Sequence, residues 1–249
     1  MSKIKIGDVF ASREGSSATV IEYINSKKVL IEFNDNHNHK MLTQAVSLRL
    51  GQFKNPYYPS VCGVGYIGVG DFSAWIDGKP TYEYEKWKAM MKRGYSEALK
   101  NKHPTYKDCY VHADWHNFQN FAAWLCSNKY KNLGYELDKD VLVAGNKVYS
   151  EATCALVPLE INTLLVYSES NNGDLPVGVH YNKHAKKYDA KIRVDGGRKH
   201  LGYFDCPNEA HQAYVLAKEA CVKSMAAKWK GKIDDSVYSA LMSWSAAYE

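Results

Sequence analysis

The chain has 249 residues, 45% of them hydrophobic and 24% charged, with a formal net charge of +5. Those proportions exclude an intrinsically disordered or collagen-like chain, and the length predicts two or three compact units at about 100–200 residues each. No apolar run nears the ~18–20 residues that a bilayer span needs. The start, Met1-Ser2-Lys3-Ile4-Lys5, runs into Gly7-Asp8 without an apolar segment of the secretory kind, so a cytoplasmic location and no membrane partner are expected. Six cysteines (Cys62, Cys109, Cys126, Cys154, Cys206, Cys221) lie far apart with no C-x-x-C pair, which predicts reduced, mostly buried thiols instead of a zinc knuckle.

Taken in chain order, residues 6–60 predict short strands. Ala18-Thr19-Val20-Ile21-Glu22-Tyr23-Ile24 is β-rich, Asn25-Ser26-Lys27-Lys28 is a turn, and Val29-Leu30-Ile31-Glu32-Phe33 alternates before Asn34-Asp35-Asn36. The pattern from Gly7-Asp8 to Gly51 resembles SH3-like barrels, which implies a small β-barrel over residues 1–60. His37-x-His39 sits in a polar, Asn-rich stretch and is read as a loop. The glycines of Gly63-Val64-Gly65-Tyr66-Ile67-Gly68-Val69-Gly70 lack both a following Lys-Ser/Thr and the G-x-G-x-x-G spacing after a strand, so they predict an extended connector and no phosphate loop.

Apolar residues at helical spacing (Tyr84, Trp87, Met90, Met91, Tyr95) predict a helix over residues 82–95. A second helix is expected over residues 114–125, with Trp115, Phe118, Phe121, Ala122 and Leu125 on one stripe. His112 and His116 stand four apart but lack the Glu and distal ligand of a zincin motif. Ser168-Glu169-Ser170-Asn171-Asn172-Gly173-Asp174-Leu175-Pro176 is the best linker in the chain. A final helix carries Val237, Leu241 and Trp244.

Charge is unevenly distributed. Residues 178–232 hold twelve Lys/Arg against five acids, a local +7 that leaves −2 for the rest of the chain. Such asymmetry points to one module that meets a polyanion. Within it three alternating segments, joined by a turn at Lys183 to Lys187 and a hairpin at Asp195-Gly196-Gly197, precede a helix from about Asn208 to Met225. Alternation puts Ala190, Ile192 and Val194 on the helix side and Asp189, Lys191 and Arg193 on the side left to solvent.

Gly178-Val179, Ala190-x-Ile192-x-Val194-x-Gly196, Leu201-Gly202-Tyr203-Phe204-Asp205 and Glu209-Ala210-x-x-Ala213-Tyr214 resemble the plant Apetala-two/ERF-type DNA-binding domain, also carried by phage nucleases. The resemblance spans about fifty residues within residues 171–232. It implies double-stranded DNA as partner, read in the major groove by His180, Lys191, Arg193, Arg198, Lys199 and His200.

Leu137-Asp138-Lys139-Asp140-Val141-Leu142, Gly145-Asn146-Lys147-Val148-Tyr149-Ser150 and Cys154-Ala155-Leu156-Val157-Pro158-Leu159-Glu160-Ile161-Asn162 resemble the degenerate HNH-type modules of phage homing endonucleases. The helices upstream extend that likeness over residues 61–170. It implies a ββα-metal-like module in which Asp138 and Asn162 ligate Mg²⁺ or Mn²⁺ and Asn146 is the loop Asn. Lys139 falls where the general-base His should stand, and an ordinary Lys, with a pKa of about 10.4, is protonated at neutral pH and cannot accept a proton. If Lys139 instead holds the phosphate as a point charge, the base is expected to be Asp140 or a metal-bound hydroxide.

The expected architecture is therefore α+β: barrel, HNH-like module, three-stranded sheet plus helix, and a C-terminal helix over residues 233–249. Two functions follow from the resemblances. One is a phage-type, sequence-specific, metal-dependent DNA nicking or homing endonuclease in the cytoplasm of an infected bacterium. The other is a catalytically inactive DNA-binding phage regulator, or an inhibitor that engages a host protein through the N-terminal barrel.

Overall fold

The structure, a computed structural model, describes residues 3–165, 175–194 and 196–246. It is a mixed α+β protein with seven α-helices and several small sheets among the described residues, none of the sheets closed into a barrel. The chain divides into two compact units, residues 1–127 and 128–249. No helix among the described residues is long and apolar enough to cross a membrane. The linker expected at residues 168–176 falls almost wholly outside the described residues, as does Asp195 of the hairpin turn.

The first unit opens with β1 (Val9–Ala11), β2 (Ser17–Asn25), β3 (Lys28–Phe33) and β4 (Lys40–Thr43), an antiparallel sheet in sequential order. Alternation selects the buried face: Ala18 and Val20 of β2 and Val29, Ile31 and Phe33 of β3 are essentially inaccessible. The expected barrel is replaced by an open sheet. Its buried face is covered by Ala45 and Leu48 of α1 (Ala45–Leu50) and by Phe53, residues that lie beyond the strands.

Beyond a long irregular stretch from residue 51, the regular elements of the rest of the unit are helices and the short strands β5 (Trp75–Ile76), β6 (Lys79–Pro80) and β7 (Tyr110–Val111). α2 (Tyr82–Tyr95) is capped by the Thr81 side chain, carries Glu83 and Glu85 in its first turn and Lys92 and Arg93 in its last, and buries Trp87, Met90 and Met91. α3 (Glu97–Lys102) follows.

The helix expected from Asp114 is interrupted. Residues 113–116 form a 3₁₀ turn, Asn117 is extended, and α4 runs Phe118–Ser127. The cause is local, because Asn117 bridges Tyr66 and its Oδ1 accepts the Gln119 N–H at 3.0 Å. The aromatic stripe nevertheless packs as core, with Trp87 Nε1 donating to the Trp115 carbonyl at 2.7 Å and Tyr84 edge-on to Phe118. The glycine run lies against these helices: a Cβ on Gly65 would come within 2.9 Å of Trp87 and Met91, and one on Gly68 within 2.3 Å of Asn117 Oδ1.

In the second unit β8 (Glu136–Asp138) pairs antiparallel with β10 (Ala155–Val157), setting Asp138 opposite Ala155, and α5 (Leu159–Leu165) follows. Between them lies β9 (Val148–Tyr149). Then come β11 (Val179–Asn182), β12 (Lys187–Val194) and β13 (Gly197–Phe204), the three-stranded antiparallel sheet, and α6 (Pro207–Trp229). Val179, Ala190 and Ala210 form the heart of that sheet–helix core, flanked by Tyr188, Leu201, Phe204 and Ala213.

α6 runs well past the sheet. Val222 and Ala226 are buried, as are Val237 and Leu241 of α7 (Asp235–Ser243), which packs on it. Lys218 donates to the Leu164 carbonyl at 2.6 Å, and both Lys228 and Trp229 reach Glu160 Oε2, at 2.5 and 3.1 Å. The same helix thus backs the basic sheet and clasps α5.

Candidate nucleic-acid interface

The sheet face opposite α6 is assembled by register. His180 of β11 pairs with Asp189 of β12, which pairs with Tyr203 of β13, and the Lys191–His200 and Arg193–Arg198 pairs lie beyond. Paired residues share a face, so these side chains form one surface. Leu201 is an extra residue in β13, where the pairing steps from Ala190–Gly202 to Lys191–His200; this bulge lets both halves of the strand keep the same face outward.

His180, Arg193, Arg198 and His200 are exposed, and Lys191 is half-buried. Lys199 pairs with Ile192 and therefore stands on the helix side, apart from the other five residues. Lys187 is on the outer face as well, at 3.1 Å from Asp205.

At the centre of this surface sits an acid. The Asp189 side chain is only 3% exposed although it belongs to the open face. One carboxylate oxygen is ion-paired to Lys191 Nζ and the other lies 2.9 Å from His200 Nε2, without the alignment of a hydrogen bond. The His200 ring in turn leans on Tyr203 at 4.7 Å between centroids. The sequence alone gives Tyr203 no contact role and leaves Asp189 to solvent. The available signal was an acid at i−2 from Lys191 on a strand whose every other outward residue is basic.

The second constellation is the loop between β8 and β9. Asp138 Oδ1 accepts the backbone N–H groups of Asp140 and Val141 at 2.7 and 2.6 Å, an Asx turn that reverses the chain. Burial pushes the Asp138 carboxyl above its ordinary range, opposed in part by those two N–H donors. Lys139 points inward: its side chain is 7% exposed, and its ammonium holds both Asp140 oxygens and the Asn146 carbonyl, each at 2.6 Å. Asn146 donates to the carbonyls of Lys139 and Val148 and accepts the Val148 N–H. Asn162 lies on α5. Cys154 nearby has its thiol pushed up to about 12 by burial, which leaves it inert.

This loop does not suit a catalytic Mg²⁺ or Mn²⁺. Such ions want several hard oxygen donors with open positions for water and phosphate. Here Asn146 is fully engaged with backbone, one Asp138 oxygen takes two N–H groups, and Asp140 is neutralised by a buried ammonium. Among the described residues no three His, Cys, Asp or Glu side chains come together to hold a metal. Lys139, with every proton directed inward, has none to offer a phosphate, and Asp140 is tied as its counter-ion instead of standing free as a base.

The first unit holds a polar groove of about 330 Å³ lined by Ser16, Asn34, Asp35, His37, Asn55 and Tyr57 among others. His37 stacks on Tyr57 at 4.1 Å, and Tyr66 packs edge-on to His37. Burial alone would raise the Asp35 carboxyl, but hydrogen bonds from Asn55 and from the His37 and Asn38 N–H groups pull it below the ordinary range. His37 and His39 thus belong to an aromatic cluster, both packing on Tyr57. No protein-family model, no curated protein and no solved structure matches this chain.

Proposed function

We propose that the protein binds double-stranded DNA sequence-specifically through the outer face of β11–β13, as a regulator of phage type, and that the β8–β9 loop is a structural lock without nuclease chemistry. One observation carries the reading: an antiparallel sheet backed by α6 sets His180, Lys191, Arg193, Arg198 and His200 in register on its uncovered face. Three strands at about 4.8 Å spacing measure roughly 10 Å across, close to the ~12 Å width of a B-DNA major groove. Arg193 and Arg198, side by side, have the planar fork that suits guanine edges and phosphates alike. The +7 charge of residues 178–232 supplies the sequence-independent attraction.

The test uses the full chain. Duplexes enriched from a random pool are titrated by fluorescence anisotropy over a range of salt. Arg193→Gln and Arg198→Gln should each flatten the salt slope by about one unit, whereas Lys199→Gln, on the other face, should change it by less than half that. Absence of duplex binding at low salt, or equal effects of all three substitutions, refutes the assignment.

A further inference from the structure

A carboxylate is out of place on a surface meant for phosphates. An Asp pointing at DNA repels it, and a buried Asp is costly unless paired. Asp189 nevertheless occupies the middle strand at the middle of the face, nine-tenths buried, with its two oxygens directed at Lys191 and at His200. Those two residues are a cross-strand pair, so one acid on β12 fastens the side chains that bridge β12 and β13.

Two consequences follow. Lys191 is no longer a free point charge on a flexible four-carbon stem; it is drawn back against the sheet and its charge is offset. His200 is flanked by Asp189, 2.9 Å from its Nε2, and by the Tyr203 ring, which together limit the directions its imidazole takes toward the groove. Arg193 and Arg198 stand farther along the same strands, away from Asp189.

Resting on the assignment of this face to DNA, we propose that Asp189 is a positioning residue for specificity: it cancels the phosphate attraction of Lys191 and orients Lys191 and His200, leaving Arg193 and Arg198 to carry the non-specific affinity. Specificity is the ratio of specific to non-specific affinity, and lowering the second raises it without any added base contact. The central acid thus subtracts charge where free charge would hold the protein on every sequence.

The experiment compares the full-length parent with Asp189→Asn, Lys191→Gln and the double variant on a selected duplex and on poly(dI-dC), across salt concentrations. Asp189→Asn keeps the shape and an acceptor but removes the counter-charge. It should steepen the non-specific salt slope by about 0.9 and tighten non-specific binding roughly eightfold near 0.1 M salt, the effect of one further released counter-ion. The ratio of specific to non-specific affinity should fall. The double variant should return the non-specific slope to the parental value, which identifies Lys191 as the cation set free. A merely structural Asp189 would instead lower the melting temperature and weaken both duplexes alike with an unchanged slope, and that result overturns the proposal. Lys191→Gln gives a second route should Asp189→Asn fold poorly: it should flatten the parental slope by less than half as much as Arg193→Gln does, and an equal effect also overturns the proposal. A parent that binds no duplex sinks the DNA assignment and this role together, whereas a parent that binds while Asp189→Asn behaves identically sinks this role alone.

Discussion

Removing the Asp140 carboxylate tests the β8–β9 loop most directly. Lys139 Nζ has three contacts, two to Asp140 and one to the Asn146 carbonyl, and the lysine side chain is 7% exposed. Asp140→Ala therefore leaves a buried ammonium with one neutral acceptor in place of a counter-ion. Breaking a fully buried pair in this way costs about 3–5 kcal/mol. The Asp140 side chain is itself 44% exposed, so water replaces part of what it supplied, and the expected loss is about 2–4 kcal/mol. For a unit of this size that corresponds to roughly 4 °C per kcal/mol, or a fall of roughly 8–16 °C in melting temperature. Lys139→Met, which removes the charge and keeps the aliphatic bulk, should cost much less, and Lys139→Met combined with Asp140→Ala should recover most of the single-variant loss. Scanning calorimetry of the full chain is the assay. If Asp140→Ala melts with the parent but abolishes metal-dependent nicking of supercoiled plasmid, Asp140 is a base and the structural account of the loop is wrong.

Gly178 has φ +78°, and a Cβ there would stand 2.2 Å from the Tyr214 ring; Gly178→Ala should destabilise the sheet–helix module by about 2–4 kcal/mol, combining positive-φ strain with overpacking. Hydrogen exchange of β11 and the start of α6 reads this, and unaltered protection refutes it. The raised pKa of Asp138 carries a signed pH dependence. With the folded value above the unfolded one of about 3.9, the folded state takes up the proton first, so this group's contribution is favourable below that window and is lost as pH rises through the folded pKa. Asp138→Asn keeps the acceptor for both N–H groups and removes the charge, so its melting temperature relative to the parent should climb as pH rises above the unfolded value of about 3.9; parallel curves count against the assignment.

The C-terminal sheet was legible because a period of two leaves little choice: Ala190 and Ile192 must go inward if Asp189, Lys191 and Arg193 go outward. What alternation could not say is that an outward Asp can still be buried, since that depends on side chains arriving from β13 across a bulge. The N-terminal strands were legible for the same reason, yet their closure was not, because Leu48 and Phe53 cover the sheet from residues beyond it. The aromatic stripe of residues 115–125 predicted core correctly and misplaced the helix start, since a contact with Tyr66, some fifty residues earlier, extends Asn117. At the β8–β9 loop the sequence displayed oxygen-bearing side chains but not their direction. Whether Asp138, Asn146 and Asp140 look outward to a metal or inward to backbone and Lys139 is decided by packing, which residue identity alone does not encode.

The glycine-rich connector bears on how such a chain could be divided or inherited. It does not behave as a tether between separable parts: its backbone is pressed onto Trp87 and Met91 at Gly65, Gly68 donates to the Pro56 carbonyl, and Tyr66 joins the ring cluster of His37 and Tyr57. A gene fusion or truncation placed near residue 60 would strip one flank from α2 and leave the aromatic cluster of the sheet half assembled. Residues 1–127 are therefore the smallest N-terminal piece expected to travel intact, and recombination that exchanges the sheet alone would have to rebuild the surface of the helices behind it.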